Sequence, residues 1–276
     1  FKTTRQIDTY LADTVNSLEH MRGRNGLLAD IIWIESAENG SFHVQTLNAN
    51  TSPTNIAVDL LVQDELISYP QYRDQALKNI SRALSTLENL DYHHDTGLIF
   101  SRYATDSTSA VKDSSVSAID NLHFAIALYT VHHDFAGTLV GEQAGRLFER
   151  MNFSVYYDQN SGLIGGNLIY QNGKWIREAY EFANLGSEAR SLYSAGWALG
   201  LFKDYQKNYQ SNADFLPKAF AALGAEILHS KDGDILKLWD GSAFQMYFPK
   251  MFISEELYSP KLNKMYHALA NYMIAE

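Results

Sequence analysis

The chain has 276 residues and a formal net charge of −10, because its 32 aspartate and glutamate residues outnumber its 22 lysine and arginine residues. This negative charge argues against a nucleic-acid-binding surface, while 46% hydrophobic and 20% charged residues indicate a globular chain with a sizeable core. The sequence contains no cysteine, which excludes disulfides, thiol nucleophiles and iron–sulfur clusters.

Apolar residues recur every three to four positions along most of the chain, which predicts a mainly helical protein. The first such face comprises Ile7, Tyr10, Leu11, Val15 and Leu18. Ser52-Pro53 predicts the N-cap and first residue of the next helix, and another helix follows Pro70. Further helices are predicted from Ser117 to Val131 and over roughly 137–150, 187–208, 213–229, 242–254 and 260–275.

One short segment has the pattern of a β-hairpin. Apolar residues between Gly162 and Tyr170 are followed by Asn172-Gly173 and then by Lys174-Trp175-Ile176. Asn-Gly favours the tight turn that joins two antiparallel strands. The expected fold class is therefore all-α with a small β-hairpin.

A weak internal repeat involves four glycines, Gly26, Gly97, Gly162 and Gly233, which are 71, 65 and 71 residues apart. Each leads into a short apolar stretch and then a helix. Repeated helical units bury their apolar faces by stacking on neighbours, and a stack closed into a ring forms an (α/α) toroid with a central cavity. The alternative interpretation is that each glycine simply ends a helix.

Carboxylates at predicted helix starts are the strongest catalytic candidates. Asp120 lies near the start of a strongly apolar helix, and Glu188 follows Ser187, a predicted N-cap. Glu181 is a neighbouring candidate. Each could be an acid, a base or a sugar ligand, or could simply complement the dipole of its helix.

Aromatic residues beside these segments could stack on the apolar face of a sugar. Trp239-Asp240 has this pattern, although a buried tryptophan with Asp240 as a helix N-cap is the alternative. Tyr103 and Tyr180 could add further sugar-binding surfaces.

Two clusters, His93-His94-Asp95 and His132-His133-Asp134, contain the residue types that bind metal ions. Adjacent histidines on a helix point about 100° apart and so rarely share a metal ion. The sequence also lacks the His-Glu-x-x-His arrangement of zinc proteases. We therefore expect neither a metal site nor a cofactor.

Four segments in a fixed order carry a family resemblance. They are Thr51-Ser-Pro-Thr-Asn-Ile56, Val116-Ser-Ala-Ile-Asp-Asn121, Leu185-Gly-Ser-Glu-Ala-Arg190 and Trp239-Asp-Gly-Ser-Ala-Phe244. They resemble the bacterial glucoamylase-like (α/α)-toroid domains, which include endo-β-1,2-glucanases, domains of cyclic β-1,2-glucan synthases and exopolysaccharide-associated relatives. The resemblance spans roughly residues 20–255. It implies a single (α/α)6-type toroid domain over 1–276, shortened because about nine long helices are predicted instead of twelve.

The resemblance implies a glycoside hydrolase that cleaves a glucan-like or exopolysaccharide substrate by carboxylate acid/base catalysis in a central cleft. Glu188 falls on the family's glutamate and is expected to be the general acid, with Asp120 as the second carboxylate. The expected substrate-binding residues are Asp30, Asn55, Tyr103, His123, Tyr180, Glu181, Arg190, Trp239 and Asp240. The partner is then an oligosaccharide or polysaccharide.

Two departures from the family pattern favour a catalytically inert domain. Relatives often have a second acidic residue three positions after the one that matches Asp120, where this chain has His123. They often have another after the Ser-x-Phe segment, where this chain has Gln245. A catalytically inert carbohydrate-binding or scaffold domain of a polysaccharide synthesis or export system is one alternative. A helical protein-interaction module is the other.

The chain begins with Phe1. Because this is not an initiator residue, we expect the N-terminus to be trimmed, and a signal peptide could have been lost there. The expected location is secreted, periplasmic or cell-surface, with a membrane-anchored or polysaccharide-synthesis partner domain as an expected neighbour.

Overall fold

The computed structural model describes residues 4–30, 33–36, 42–45, 50–112, 114–206, 218, 221–231, 233–239, 242, 244–254, 257 and 260–275. Helices dominate this part of the chain. Those with described bounds are α1 (Thr4–Met21), α2 (Pro53–Leu66), α3 (Arg73–Leu87), α4 (Ala118–Asp134), α5 (Leu139–Glu149), α6 (Arg190–Ala198), α7 (Lys203–Gln206), α8 (Phe244–Tyr247) and α9 (Pro260–Ala275). No helix within the described ranges is both long and apolar enough to cross a membrane.

Short strands lie between the helices. They are β1 (Trp33–Ser36), β2 (Phe42–Gln45), β3 (Asn50–Thr51), β4 (Tyr92–His93), β5 (Leu98–Ile99), β6 (Tyr103–Ala104), β7 (Val116–Ser117), β8 (Ile164–Gly165), β9 (Asn167–Gln171), β10 (Lys174–Arg177), β11 (Glu181–Phe182), β12 (Ile227–Ser230) and β13 (Gly233–Leu236). They form the antiparallel pairs β1–β2, β3–β6, β4–β5, β8–β11 and β12–β13 and the three-stranded sheet β10–β9–β7. The structure thus adds several small sheets to the expected hairpin.

The predicted local signals are confirmed where they are strongest. Ser52 caps α2, because its hydroxyl accepts the Asn55 backbone N–H, and Pro53 is the first helical residue. The β9–β10 hairpin turns through Asn172 and Gly173, whose φ angles of 53° and 81° suit a tight hairpin turn.

The predicted helices in the C-terminal half are shorter than expected. In the 187–208 segment, α6 ends at Ala198 and Gly200 adopts a positive φ of 74° before α7. Within the predicted 213–229 helix, residues 218, 221 and 222 are helical and 227–229 belong to strand β12, while 213–217, 219 and 220 lie outside the described residues. In the 242–254 segment, α8 gives way to a 3-10 turn over Phe248–Met251, because Pro249 cannot donate an α-helical hydrogen bond.

The four repeat glycines share a backbone conformation. Gly26, Gly97, Gly162 and Gly233 have positive φ angles of 89°, 67°, 78° and 123°. Each lies within or next to a turn that brings two short segments into antiparallel pairing: Arg22 with Leu28, β4 with β5, Tyr157 with Ile164, and β12 with β13. The repeated feature is therefore a turn between paired segments rather than a simple helix end.

The chain divides into two compact units. Unit 1 comprises Phe1–His94, Leu98–Ser115 and Ala127–Arg150, and unit 2 comprises Asp95–Gly97, Val116–Ile126 and Met151–Glu276. Each unit is described by itself. A single toroid domain over 1–276 stays a prediction.

The core of unit 1 lies where α3 packs against α2 and α5. A closed ring of polar side chains crosses this core. Arg22 donates to both carboxylate oxygens of Asp59 at 2.6 and 2.8 Å and to Glu19 at 3.2 Å. Gln63 donates to Asp59, and Asn79 donates to Gln63 and Glu19, which completes the ring. These bonds tie the end of α1 to α2 and α3.

Unit 2 contains the apolar cluster that matters most for the candidate site. Helix α9 packs against β13, and the buried members are Ile235, Leu236, Leu238, Met246, Met265, Tyr266, Ala268 and Leu269. Because Met246 lies in α8 and four other members lie in α9, this cluster packs the four-residue helix α8 against α9. Helix α8 in turn contacts the segment that carries Glu188.

Candidate active site

Glu188 lies in a tight turn just before α6, in unit 2. The Ser187 hydroxyl accepts the Ala189 N–H at 3.2 Å, and the Arg190 N–H donates to the Ser187 carbonyl at 3.1 Å. Helix α6 therefore begins at Arg190, with Ala189 in the N-cap position. The prediction that Ser187 is the N-cap and Glu188 the first helical residue placed the helix start too early.

The backbone of Glu188 is held by a residue from α8. The Glu188 N–H donates to the side-chain oxygen of Gln245 at 2.9 Å. Gln245 is only 7% exposed. Sequence reasoning noted Gln245 as a departure from the family pattern but did not predict this bond, since a contact between residues 57 positions apart has no local signal.

Arg190 also joins the Glu188 turn to α8. Its Nη1 donates to the carbonyls of Ser187 and Gln245, and its Nη2 donates to the Met246 carbonyl at 3.0 Å and the Tyr266 hydroxyl at 3.3 Å. Arg190 is 4% exposed. It was expected to bind substrate, but its buried guanidinium donates to protein groups, so we assign it a positioning role instead.

Asp120 lies in the first turn of α4, half-buried and also in unit 2. Its backbone N–H donates to the Ser117 hydroxyl at 3.3 Å, which caps the helix start. Burial, and after it the negative charge of Asp120, raise the pKa of the Tyr156 phenol. The Tyr156 hydroxyl donates to the Val116 carbonyl at 2.8 Å, so this tyrosine anchors the segment that leads into α4.

His123 follows Asp120 by three residues, which places both on one face of α4. Its ring stacks on Phe252 at 4.2 Å with an interplanar angle of 9°, and Phe248 meets it edge-on at 5.0 Å. Burial lowers the pKa of His123 to about 3, so the ring is neutral. His123 was expected to bind substrate, but at 2% exposed it is a packing residue.

One short segment therefore contacts both candidate carboxylate regions. Within 244–252, Gln245 bonds the Glu188 backbone, while Phe248 and Phe252 pack on His123 beside Asp120. The segment is a common support for the two regions.

Two exposed aromatic rings lie near the Glu188 turn. Trp239 is 56% exposed and Tyr180 is 44% exposed, and their ring centroids are 6.3 Å apart. The Trp239 backbone N–H donates to the Gly186 carbonyl at 3.3 Å. A Cβ at position 186 would lie 2.0 Å from the Lys237 carbonyl oxygen, so glycine is required for this close approach. Both rings are exposed, and their sugar-stacking role stays a prediction.

Glu181, on β11, takes part in an ion pair within unit 2. Arg177 donates to Glu181 at 3.0 Å and to Asp158 at 3.1 Å, and the Ser161 hydroxyl also donates to Glu181. This network ties β10 to β11 and to the preceding loop. It gives Glu181 a structural role that the sequence did not predict.

Three further expected residues lie in unit 1. Asn55 and Ser52 both donate to the exposed Asp30 carboxylate, which brings Asp30 and Asn55 together at the start of α2. Tyr103 is 0% exposed, and its hydroxyl accepts the Phe100 N–H and donates to the Asp91 carbonyl. Tyr103 was expected to contact sugar, but its burial assigns it to the core.

Asp240 lies outside the described residues. Among the residues that are described, no three histidine or acidic side chains are grouped as metal ligands. The His132 ring, from one of the clusters considered above, bonds to the Gly141 carbonyl at 2.8 Å.

No family model matches the sequence, and no curated protein matches it either. Solved structures do show a similar fold. A mutant of an endo-β-1,2-glucanase from Talaromyces funiculosus, in complex with β-1,2-glucan, has a TM-score of 0.61 and 11% identity, covering 92% of this chain and 59% of that chain. An endo-β-1,2-glucanase from Chitinophaga pinensis, in complex with sophorotriose and glucose, has a TM-score of 0.53 and 14% identity, covering 71% and 48%.

The chain thus spans about half to three fifths of the length of these two proteins. At these identities the similarity shows a shared fold. The resemblance to the endo-β-1,2-glucanase group that the sequence motifs indicated is confirmed at that level, and the fold is one that glycoside hydrolases use.

Proposed function

We propose that the chain is a glycoside hydrolase that cleaves a glucan, with Glu188 as general acid and Asp120 as the second carboxylate. The observation that carries this proposal is the 244–252 segment, which holds the Glu188 backbone and packs on His123 beside Asp120. Acid/base cleavage of a glycosidic bond requires two carboxyl groups that flank the bond, and the shared supporting segment is the reason to pair these two.

The proposed reaction divides the work between the two carboxyl groups. Glu188 donates a proton to the leaving glycosidic oxygen as the bond to the anomeric carbon breaks. Asp120 either accepts a proton from an attacking water or attacks the anomeric carbon itself. The first route needs a separation of about 6.5–9.5 Å and the second about 5–5.5 Å.

The exposed aromatic rings support a carbohydrate substrate. Trp239 and Tyr180 offer apolar surface for the C–H face of a pyranose beside the turn that carries Glu188. In unit 1, Asp30 and Asn55 are proposed ligands for sugar hydroxyls. The shared fold makes β-1,2-glucan the first substrate to test.

An inert carbohydrate-binding or scaffold domain is the second candidate function. It is favoured by the buried, neutral His123 and by Gln245, which stand where related domains often have acids. In this case the aromatic rings would bind sugar without cleavage. The (α/α) toroid, the secreted location and a polysaccharide-synthesis partner remain predictions under either function.

Incubation with a panel of soluble glucans and bacterial exopolysaccharides distinguishes the two candidates. The parent, Glu188→Gln and Asp120→Asn chains are assayed for new reducing ends, and binding is measured by calorimetry. Glu142→Gln is the matched control, because Glu142 is an exposed residue of α5. We expect release by the parent and the control, a loss of roughly 10²- to 10⁴-fold in Glu188→Gln, and retained binding. Binding without release from any substrate would support the inert domain.

A further inference from the structure

Gln245 occupies an unusually constrained position beside Glu188. Its side-chain oxygen accepts the Glu188 N–H at 2.9 Å, and its carbonyl accepts a bond from Arg190 at 2.8 Å. Its own backbone N–H donates to the Ser242 carbonyl at 3.1 Å. The side chain therefore has little freedom to move away from the Glu188 turn.

The position of Gln245 bears on the charge around Glu188. The Glu188 carboxyl carbon is four bonds from its own backbone nitrogen and so lies within about 5 Å of it. A group at the Gln245 side-chain oxygen is then within about 8 Å of that carboxyl. An amide and a carboxylate can both accept the Glu188 N–H, but only the carboxylate would place a second negative charge at this distance.

We propose that Gln245 is a positioning residue for Glu188, a neutral acceptor that fixes the Glu188 backbone without adding a negative charge beside the proposed acid. The catalytic meaning of this inference rests on the proposed function. The effect on the Glu188 carboxyl does not, because proton binding can be measured in any folded chain.

The other charged and titratable groups that the described contacts place around this turn are Arg190, Tyr266 and Lys250. Arg190 donates to the Tyr266 hydroxyl, and the Lys250 ammonium lies 4.4 Å from the centroid of the Tyr266 ring. Two of the three are cations, and a neutral residue at position 245 adds no negative charge to this group.

The test replaces Gln245 by glutamate, which keeps the acceptor and adds the charge. The Glu188 carboxyl is titrated by carbon-13 NMR in chains labelled at glutamate, with Glu188→Gln used to assign its signal. The expected result is a Glu188 midpoint that rises by about one pH unit in Gln245→Glu. Gln171→Glu, with the same added charge on the exposed end of β9, should leave the midpoint unchanged.

Activity provides the second readout. In Gln245→Glu, the alkaline limb of the pH profile of kcat/KM on the best glucan should shift to higher pH, by the same amount as the NMR midpoint. In Gln245→Ala, which lacks the acceptor, kcat should fall about tenfold while KM stays within about twofold. If Gln245→Glu does not fold, as judged by circular dichroism, Gln245→Ala decides.

An unchanged Glu188 midpoint in folded Gln245→Glu overturns the inference, because the neutrality of residue 245 would then have no effect on the proposed acid. An unchanged kcat in Gln245→Ala also overturns it. By contrast, a parent chain that cleaves no glucan overturns the proposed function, and the NMR titration then still decides the role of Gln245.

Discussion

Arg22 in unit 1 and Arg190 in unit 2 are both buried, but they bond to different kinds of partner. Arg22 donates to the carboxylates of Asp59 and Glu19 in a closed ring of side chains. Arg190 donates to three backbone carbonyls, those of Ser187, Gln245 and Met246, and to the Tyr266 hydroxyl. The first arrangement joins helices to one another, and the second places a turn. We therefore expect changes at the first to alter stability and changes at the second to alter activity.

The largest effect on stability is expected from Asp59→Asn. This change removes the carboxylate that accepts two bonds from the buried Arg22 guanidinium and leaves it the ion pair with Glu19, so it should lower the free energy of unfolding by about 3 kcal/mol. Urea denaturation measures it. The matched control is Glu88→Gln, which breaks the exposed Arg146–Glu88 pair of the same unit and should cost less than about 1 kcal/mol. Equal losses in the two variants would contradict the comparison.

Arg190→Lys tests the other half of the comparison. An ammonium cannot reproduce the fork of bonds to Gln245, Met246 and Tyr266, so the Glu188 turn should lose its fixed position. We expect kcat to fall about 10- to 100-fold, with a smaller change in KM. Folded Asp59→Asn should keep the parental kcat. A parental kcat in folded Arg190→Lys would refute the positioning role.

The buried imidazole of His123 predicts acid sensitivity in unit 2. The folded-state pKa of about 3 lies below the ordinary value of 6.5, so the unfolded chain binds the proton first as the pH falls. Protonation of His123 should leave the free energy of unfolding unchanged above pH 6.5 and should lower it increasingly as the pH falls toward 3. Relative to His123→Phe, the parent should lose about 2 kcal/mol between pH 6.5 and pH 5. Parallel pH dependence of unfolding in the two chains would rule this out.

The smallest effect is expected from Trp239→Ala. Loss of one sugar-stacking surface should raise KM about 3- to 10-fold and leave kcat within about twofold. Tyr170→Ala is the control, because Tyr170 is 62% exposed and its neighbouring ring, Trp175, lies in the same hairpin. The same rise in KM in both variants would show that exposed aromatic rings act nonspecifically.

Local signals in the sequence predicted much of the fold. Ser52-Pro53 starts a helix and Asn172-Gly173 turns a hairpin because their preferences are set by the residues themselves. Strands of two residues, such as β4 and β5, are too short to show alternation. Helix α8 is short because Pro249 follows it closely. The apolar periodicity of 242–254 predicted a longer helix because periodicity does not register a proline.

The site was predictable in part. Glu188 and Asp120 were singled out because acidic residues at helix starts are recognisable in a sequence, and their catalytic roles stay predictions. The roles of Arg190, His123 and Tyr103 could not be read in the same way, since a polar or aromatic residue looks alike whether it is buried or exposed. Only the fold shows that these three are enclosed. The contact of Gln245 with Glu188 likewise depends on tertiary packing.

The most direct test of the account compares two substrates in Glu188→Gln and Asp120→Asn. One is β-1,2-glucan, and the other is a β-1,2-linked gluco-oligosaccharide with a nitrophenyl leaving group that needs no proton. The account predicts that Glu188→Gln loses at least about 100-fold on the glucan and far less on the nitrophenyl substrate, whereas Asp120→Asn loses activity on both. Parental rates of glucan cleavage in Glu188→Gln would contradict it.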